Sequence, residues 1–135
     1  MTYLYLAPNI EKTGIKIGFS VEPTSRLNGV VGNIDYKKTY IFECKNVASV
    51  EDFCHKYFSE FSINLYESGD GHTEWFDICI RKVAKDLILR NMKLLGIIDH
   101  FNYLDRFDKT ITKTPLQDVP RNGECEFDIY ETYQI

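Results

Sequence analysis

The chain has 135 residues, of which 44% are hydrophobic and 27% charged, with a formal net charge of −4. That length suits one domain able to bury a core without disulfides or a structural metal, and that composition excludes a disordered or fibrous chain. No apolar run approaches the roughly 20 residues that cross a bilayer, and the N-terminus lacks a signal peptide's basic-then-apolar layout; the expectation is a cytoplasmic protein, or a nuclear one in a eukaryotic virus or host, with no membrane partner.

Thr2 to Ala7 (TYLYLA) is rich in aromatic and β-branched residues and stops at Pro8, which predicts a strand followed by a short loop containing Asn9. Gly14 to Phe19 (GIKIGF) alternates, with Ile15 and Ile17 on one side and Lys16 and Gly18 on the other, so a second strand should pair with the first. Pro23 suits the first turn of a short helix that carries Arg26, Leu27 and Val30 and weakens at Gly29 and Gly32. Tyr36 to Cys44 reads as a third strand, with Tyr40 and Phe42 on one face and Ile41 on the other.

The clearest helix begins at Ser49, which stands at capping-box spacing from Asp52. Val50, Phe53, Cys54, Tyr57, Phe58 and Phe61 fall on one arc, leaving Glu51 and His55 one turn apart on its shoulder and Asp52 and Lys56 toward water. Residues 64–73 have turn composition, and Thr73 or Asp77 is placed to cap a long helix reaching Leu95, with Trp75 and Phe76 anchoring its start. Ile80, Val83, Ala84, Leu87, Asn91, Leu94 and Leu95 would face its core, Arg81, Lys82, Lys85 and Lys93 would form a basic back, and Gly96 would end it. Asp99 to Phe107 is read as a short helix and Thr114 to Asn122 as an irregular connector. Cys125, Phe127 and Ile129 alternate with Glu126, Asp128 and Tyr130, the pattern of an edge strand with an acidic face. The expected fold class is α+β: a small three-stranded antiparallel sheet flanked by helices in residues 1–96, with a C-terminal extension, 97–135, packed on it and ending in an acidic tail.

Cys44, Cys54, Cys79 and Cys125 form no CxxC pair, and three of them lie in segments expected to face the core, so reduced thiols are expected rather than a zinc site. A net negative charge argues at first against a nucleic-acid binder. However, residues 1–113 hold 15 Lys plus Arg and 15 Asp plus Glu, whereas residues 114–135 hold one arginine and five acids, so the deficit belongs entirely to the tail.

Composition and periodicity lead no further than a small α+β domain. More specific are Tyr3-Leu4-Tyr5 on the first strand, Lys16-Ile17-Gly18 on the second, Arg26 one helix later and Glu74-Trp75-Phe76 downstream. In that order and spacing they resemble the GIY-YIG nuclease superfamily, especially its phage T5-type branch of phages and large DNA viruses, over residues 2 to about 95. Glu51-x-x-x-His55 and Gly71-His72-Thr73 just before Glu74 are similar to that branch as well.

The resemblance implies a metal-dependent endonuclease or nicking enzyme acting on DNA. Glu74 would be the sole protein ligand of one Mg²⁺ or Mn²⁺, a hard ion that one carboxylate plus waters and phosphate oxygens can satisfy. Arg26 would hold a non-bridging phosphate oxygen with its planar fork. Tyr5 would act as general base or orient the attacking water, and with an ordinary pKa near ~10 it would need a cation nearby. Lys16 stands where the family usually has its second tyrosine, which leaves open whether Tyr5 or Lys16 handles the proton. His55 joins the candidate catalytic set.

Each of these residues also has an ordinary structural reading. Strand tyrosines commonly pack across strands, lysines and arginines are usually solvated, a carboxylate in a first helical turn is favoured by the macrodipole, and His55 could be a hydrogen-bonded, half-buried ring. The alternative function is a catalytically inactive domain of the same fold that binds nucleic acid or a host protein; a homodimer is a further partner to consider.

Overall fold

The computed structural model describes residues 1–69 and 72–107. Strand β1 (Thr2–Pro8) turns back through a tight loop into β2 (Gly14–Ser20), with Tyr5 opposite Gly18 and Ala7 opposite Lys16. Helix α1 (Pro23–Gly29) has its proline in the first turn, where the missing N–H costs nothing. After a single 3-10 turn at Tyr36–Lys38, β3 (Tyr40–Cys44) pairs with the other edge of β1, and helix α2 (Val47–Tyr57) follows. The chain then forms β4 (Trp75–Asp77) beside β2, a 3-10 turn at Ile78–Ile80, helices α3 (Arg81–Arg90) and α4 (Met92–Leu95), β5 (Ile97–Asn102) beside β3, and helix α5 (Tyr103–Arg106). The result is one antiparallel five-stranded sheet in the order β4-β2-β1-β3-β5.

Both faces of this sheet are covered, so its central strands are buried along most of their length. Side chains alternate across a strand. Leu4, Leu6, Ile15, Ile17, Tyr40 and Phe42 pack on one side against Val47, Val50, Cys54 and Phe58 of the α2 region and Ile80, Ala84 and Ile88 of the α3 region. Tyr5, Ala7, Ile41 and Trp75 take the other side, with Leu27 of α1, Val30, Ile34 and Tyr103 of α5.

The expected three strands are present, but among the described residues the sheet has five. Trp75–Asp77 is a strand and not the anchor of a helix, because the N–H and C=O groups of Gly14 to Lys16 pair with it. Of Asp99 to Phe107, expected as a short helix, the first part belongs to β5 and pairs with β3, and helix remains only at Tyr103–Arg106. Tyr36 to Lys38 wind into a 3-10 turn, which shortens the third strand to Tyr40–Cys44.

The caps differ as well. Helix α2 starts at Val47 because the Asn46 side chain accepts from the Ser49 N–H, and Asp52 instead pairs with Lys56 at 3.0 Å on the solvent side. Tyr57 and Phe61, expected in the core, are 58% and 42% exposed because the helix ends at Tyr57 and the chain turns. The long helix is broken at Asn91, whose side chain donates to the Leu87 carbonyl, and the change of direction leaves Leu94 exposed. Val83 is exposed too, and Cys79, at the 3-10 turn, faces solvent, whereas Cys44 and Cys54 are buried. Asp77 caps that turn through the Cys79 N–H, and Gly96 ends α4 in the left-handed region with φ 71°. The expected connector at 114–122 and acidic edge strand at 125–130 lie outside the described residues. Among the described residues no helix is long and apolar enough to cross a membrane.

The β1–β2 loop is held by Asn9, which is 1% exposed. Its Oδ1 accepts from the N–H groups of Thr13 and Gly14, at 2.9 and 3.1 Å, while its Nδ2 donates to Thr13 Oγ1 and to the Tyr66 hydroxyl. Asn9→Ala removes all four bonds and takes away the side-chain acceptor of the buried Gly14 N–H, so we expect a loss of about 1–3 kcal/mol in urea unfolding. An unchanged midpoint would show that this loop is not fixed by Asn9.

Candidate active site

Strand β4 is too short to cover the edge of β2, pairing only with Gly14 to Lys16. Beyond that point the Ile17 N–H is taken by the backbone carbonyl of Glu74 at 3.2 Å. The Ile17 carbonyl accepts from Nε2 of His55 at 2.8 Å, which puts that ring's proton on Nε2. Glu74 is therefore tied to β2 by its main chain before its side chain makes any contact, and the carboxyl group is delivered to the face that carries Lys16, Gly18 and Tyr5.

On that face the Lys16 side chain is fully buried and its Nζ donates to Glu74 Oε1. Arg26, held on α1 by its backbone bond to the Glu22 carbonyl, brings a guanidinium nitrogen to 4.0 Å from the same oxygen. Tyr5 enters from the middle of β1, directly across from Gly18. A Cβ at position 18 would lie 2.6 Å from the Tyr5 hydroxyl oxygen and 2.8 Å from Glu74 Oε1. Glycine is required there because the Tyr5 and Glu74 oxygens converge on the space a side chain would fill.

The electrostatics follow from burial and from these neighbours. Burial, then the Glu74 carboxylate, push the Tyr5 phenol up to about 12, against the opposing pull of Arg26. The Tyr5 hydroxyl is buried with no hydrogen-bond partner among the described residues; the guanidinium is near enough to favour phenolate without an aligned bond. Burial also lowers Lys16 below the usual lysine value, opposed by its bond to Glu74 and assisted by the charge on Arg26. The two shifts run in opposite directions, which brings lysine nearer to giving up its proton and takes tyrosine further from it.

Of the five expected site residues, Tyr5, Lys16, Arg26 and Glu74 are brought together around Gly18. His55 sits against the β2 backbone, edge-on to Phe76 with centroids 5.1 Å apart, and its Nε2 is 3.8 Å from Glu51 Oε2. Burial raises the Glu51 carboxyl, with the Glu74 charge adding to the effect and His55 opposing it. Glu51 therefore faces this cluster, and it and Gly18 lie outside the expected set. An isolated glycine inside an alternating strand was the available signal for Gly18; the shoulder position shared with His55 was the signal for Glu51. His72 stays in its loop, with Nδ1 on the Gly69 carbonyl. Trp75 and Phe76 are core residues on opposite faces of the sheet.

No group of three or more His, Cys, Asp or Glu side chains capable of holding a metal occurs among the described residues. A divalent ion would have to rely on Glu74, whose Oε1 is engaged by Lys16, with solvent and phosphate oxygens completing the shell. One carboxylate with open surroundings is the donor set that Mg²⁺ commonly accepts, and Glu74 is about a quarter exposed.

Gly18→Ala should overpack this point and lower stability by about 1–3 kcal/mol in thermal or urea unfolding, because both oxygens must retreat. Wild-type stability in that variant would mean that Tyr5 and Glu74 do not converge there.

No curated protein and no solved structure matches the chain. The T5orf172 domain matches residues 2–92, which include every strand and side chain of the cluster just described apart from β5. The chain belongs to the T5orf172 domain family.

Proposed function

We propose that this chain is a GIY-YIG-type endonuclease that hydrolyses phosphodiester bonds in DNA with the help of one divalent metal ion. The observation that carries the reading is the convergence of a buried lysine, a buried tyrosine hydroxyl without a hydrogen-bond partner among the described residues, and an arginine on one carboxylate, at a point kept open by Gly18. A structural ion pair needs only two of these groups.

In this reading Arg26 binds a non-bridging phosphate oxygen and offsets the charge that grows on it as water attacks phosphorus. The Tyr5 hydroxyl orients that water. Its raised pKa makes it a poor base, and the proton passes to Lys16, whose Nζ is the group that burial has made easier to deprotonate. The bond from phosphorus to the leaving oxygen breaks, and the alkoxide takes its proton from solvent. Glu74 would hold the ion, Mg²⁺ or Mn²⁺, which would supply Lewis-acid stabilisation of phosphate and leaving-group charge. His55 would fix the exposed edge of β2, keeping Lys16 and Gly18 in register.

The inactive alternative, a binding domain for nucleic acid or a host protein, draws support from the Lys16–Glu74 bond itself, since that pair already satisfies both groups. One assay separates the two. Supercoiled plasmid is incubated with Mg²⁺ or Mn²⁺ and with the wild-type chain, Arg26→Ala, Glu74→Ala and Tyr5→Phe, each checked for folding. We expect nicking by the wild type and a loss of about 10² to 10³ in Arg26→Ala, with no measurable nicking in Glu74→Ala. Because unprotonated Lys16 is the active form, the rate should rise with pH through a midpoint below the ordinary lysine value, and that limb should persist in Tyr5→Phe at a lower rate. DNA binding without cleavage by the wild type would replace this reading with the inactive one, and disappearance of the limb in Tyr5→Phe would return the proton to tyrosine.

A further inference from the structure

Alternate residues of an antiparallel strand send their main-chain N–H and C=O groups to the same side. In β2 the Gly14 carbonyl accepts from the Asn9 N–H, so Gly14, Lys16, Gly18 and Ser20 turn toward β1, and Ile15, Ile17 and Phe19 turn away from it. On that outer side β4 covers Gly14 to Lys16, and the two groups of Ile17 are taken by the Glu74 carbonyl and the His55 ring. The next outward pair, the N–H and C=O of Phe19, meets no strand among the described residues. The Phe19 side chain shares a sheet face with Ile15 and Ile17, which are fully buried, yet it is 40% exposed. An open donor, an open acceptor and a bare aromatic ring therefore stand one residue from Gly18, about 3.8 Å along the chain.

The length of this opening selects its occupant. Just past Phe19 the chain turns out of the strand, with Ser20 Oγ accepting from the Glu22 N–H at 2.8 Å and Pro23 starting α1. The open edge is thus bounded by Ile17 on one side and by that turn on the other. A peptide strand laid against it would gain main-chain bonds to Phe19 alone, which is too little for strand addition. A single flat base needs no greater length. The Arg26 guanidinium, 28% exposed, stands on the Gly18 side of β2, the face opposite the Phe19 ring. A nucleotide whose phosphate is at Arg26 can carry its base across the β2 edge onto that ring. Aromatic faces accept any base, but a base held in this way has left the helical stack.

We propose that Phe19 is the stacking platform for an unpaired base on the nucleotide whose phosphate Arg26 holds, and that the preferred substrate is DNA that is single-stranded or unpaired at that point. The proposal rests on the reading of Arg26 as a phosphate ligand and not on cleavage. Extruding a base costs least where it already lacks a partner, so the platform favours strands that are open beforehand. The N–H and C=O of Phe19 face the same nucleotide and meet its edge in place of water.

The test is affinity in EDTA at fixed salt, where no strand is cut, for an oligothymidylate of about 12 nucleotides and for a duplex hairpin of similar length. Wild type is compared with Phe19→Tyr, Phe19→Leu, Phe19→Ala and Arg26→Ala, each checked for folding. We expect Phe19→Leu and Phe19→Ala to weaken oligothymidylate binding about tenfold, while Phe19→Tyr keeps the wild-type affinity and the hairpin is bound alike by all three. Leucine retains apolar bulk without a π face, so its loss assigns the effect to stacking. Phe19→Trp supplies a readout apart from affinity: its exposed indole should be quenched by the oligothymidylate, whereas the native Trp75 is fully buried. Single-strand binding that is absent in the wild type or unchanged in Phe19→Ala would overturn the proposal. So would an equal loss on hairpin and single strand, or an indole that stays unquenched. Wild-type affinity in Arg26→Ala would overturn it through the phosphate contact. A wild-type chain that never nicks plasmid, with the Phe19 effects intact, would remove the nuclease reading and leave the platform standing.

Discussion

The buried ammonium group of Lys16 is the constraint on which the site depends. Lysine is rarely enclosed, and taking its charge out of water costs several kcal/mol unless a partner stands in hydrogen-bonding reach. That partner is Glu74, which lies 58 residues further along the chain. Meeting the requirement fixes where the chain must return to the sheet: Glu74 has to arrive beside β2, and Trp75–Asp77 then forms the edge strand as a continuation of that arrival. A shorter or displaced β4 would leave an unpaired charge in the interior.

The covered sheet leaves the partly paired edge of β2 as a place where polar side chains can gather. Helices α2 and α3 fill one face, and α1 with α5 and Trp75 fill the other. Where β4 ends, the β2 backbone is met by Glu74 from one element and by His55 from another, so donors and acceptors of Ile17 are satisfied without closing the space above Gly18. In that space strand, helix and loop side chains of opposite charge approach one another. Among the described residues the Tyr5 hydroxyl there has no hydrogen-bond partner, as is also true of Trp75 Nε1 in the adjoining core.

Much of this was legible in the sequence. The alternation of Ile15 and Ile17 with Lys16 and Gly18, and of Tyr40 and Phe42 with Ile41, assigns the correct sheet faces, because a period of two admits only one arrangement. Strand β4 was hidden: three residues carry no period, and Trp-Phe-Asp ahead of an amphipathic run looks like the start of a helix. Strand β5 was hidden by Asp99 and His100, which break its apolar pattern, although the His100 ring is held on Tyr40 by a hydrogen bond of 2.6 Å. The burial of Lys16 could not be read locally either, since nothing in GIKIGF distinguishes a solvated lysine from one whose partner comes from the far end of the domain. The order of the motif residues singled out Tyr5, Lys16, Arg26 and Glu74; their distances from one another required the fold.

The most direct measurement of the central claim is the titration of the Lys16 amine by heteronuclear NMR on selectively labelled protein. A buried Lys16 paired with Glu74 should show a pKa below the ordinary lysine value of 10.5, with its resonance perturbed in Glu74→Gln. A midpoint at the ordinary lysine value that Glu74→Gln leaves unmoved would mean that Lys16 is a solvated surface charge, and the account of both the sheet edge and the site would fall with it.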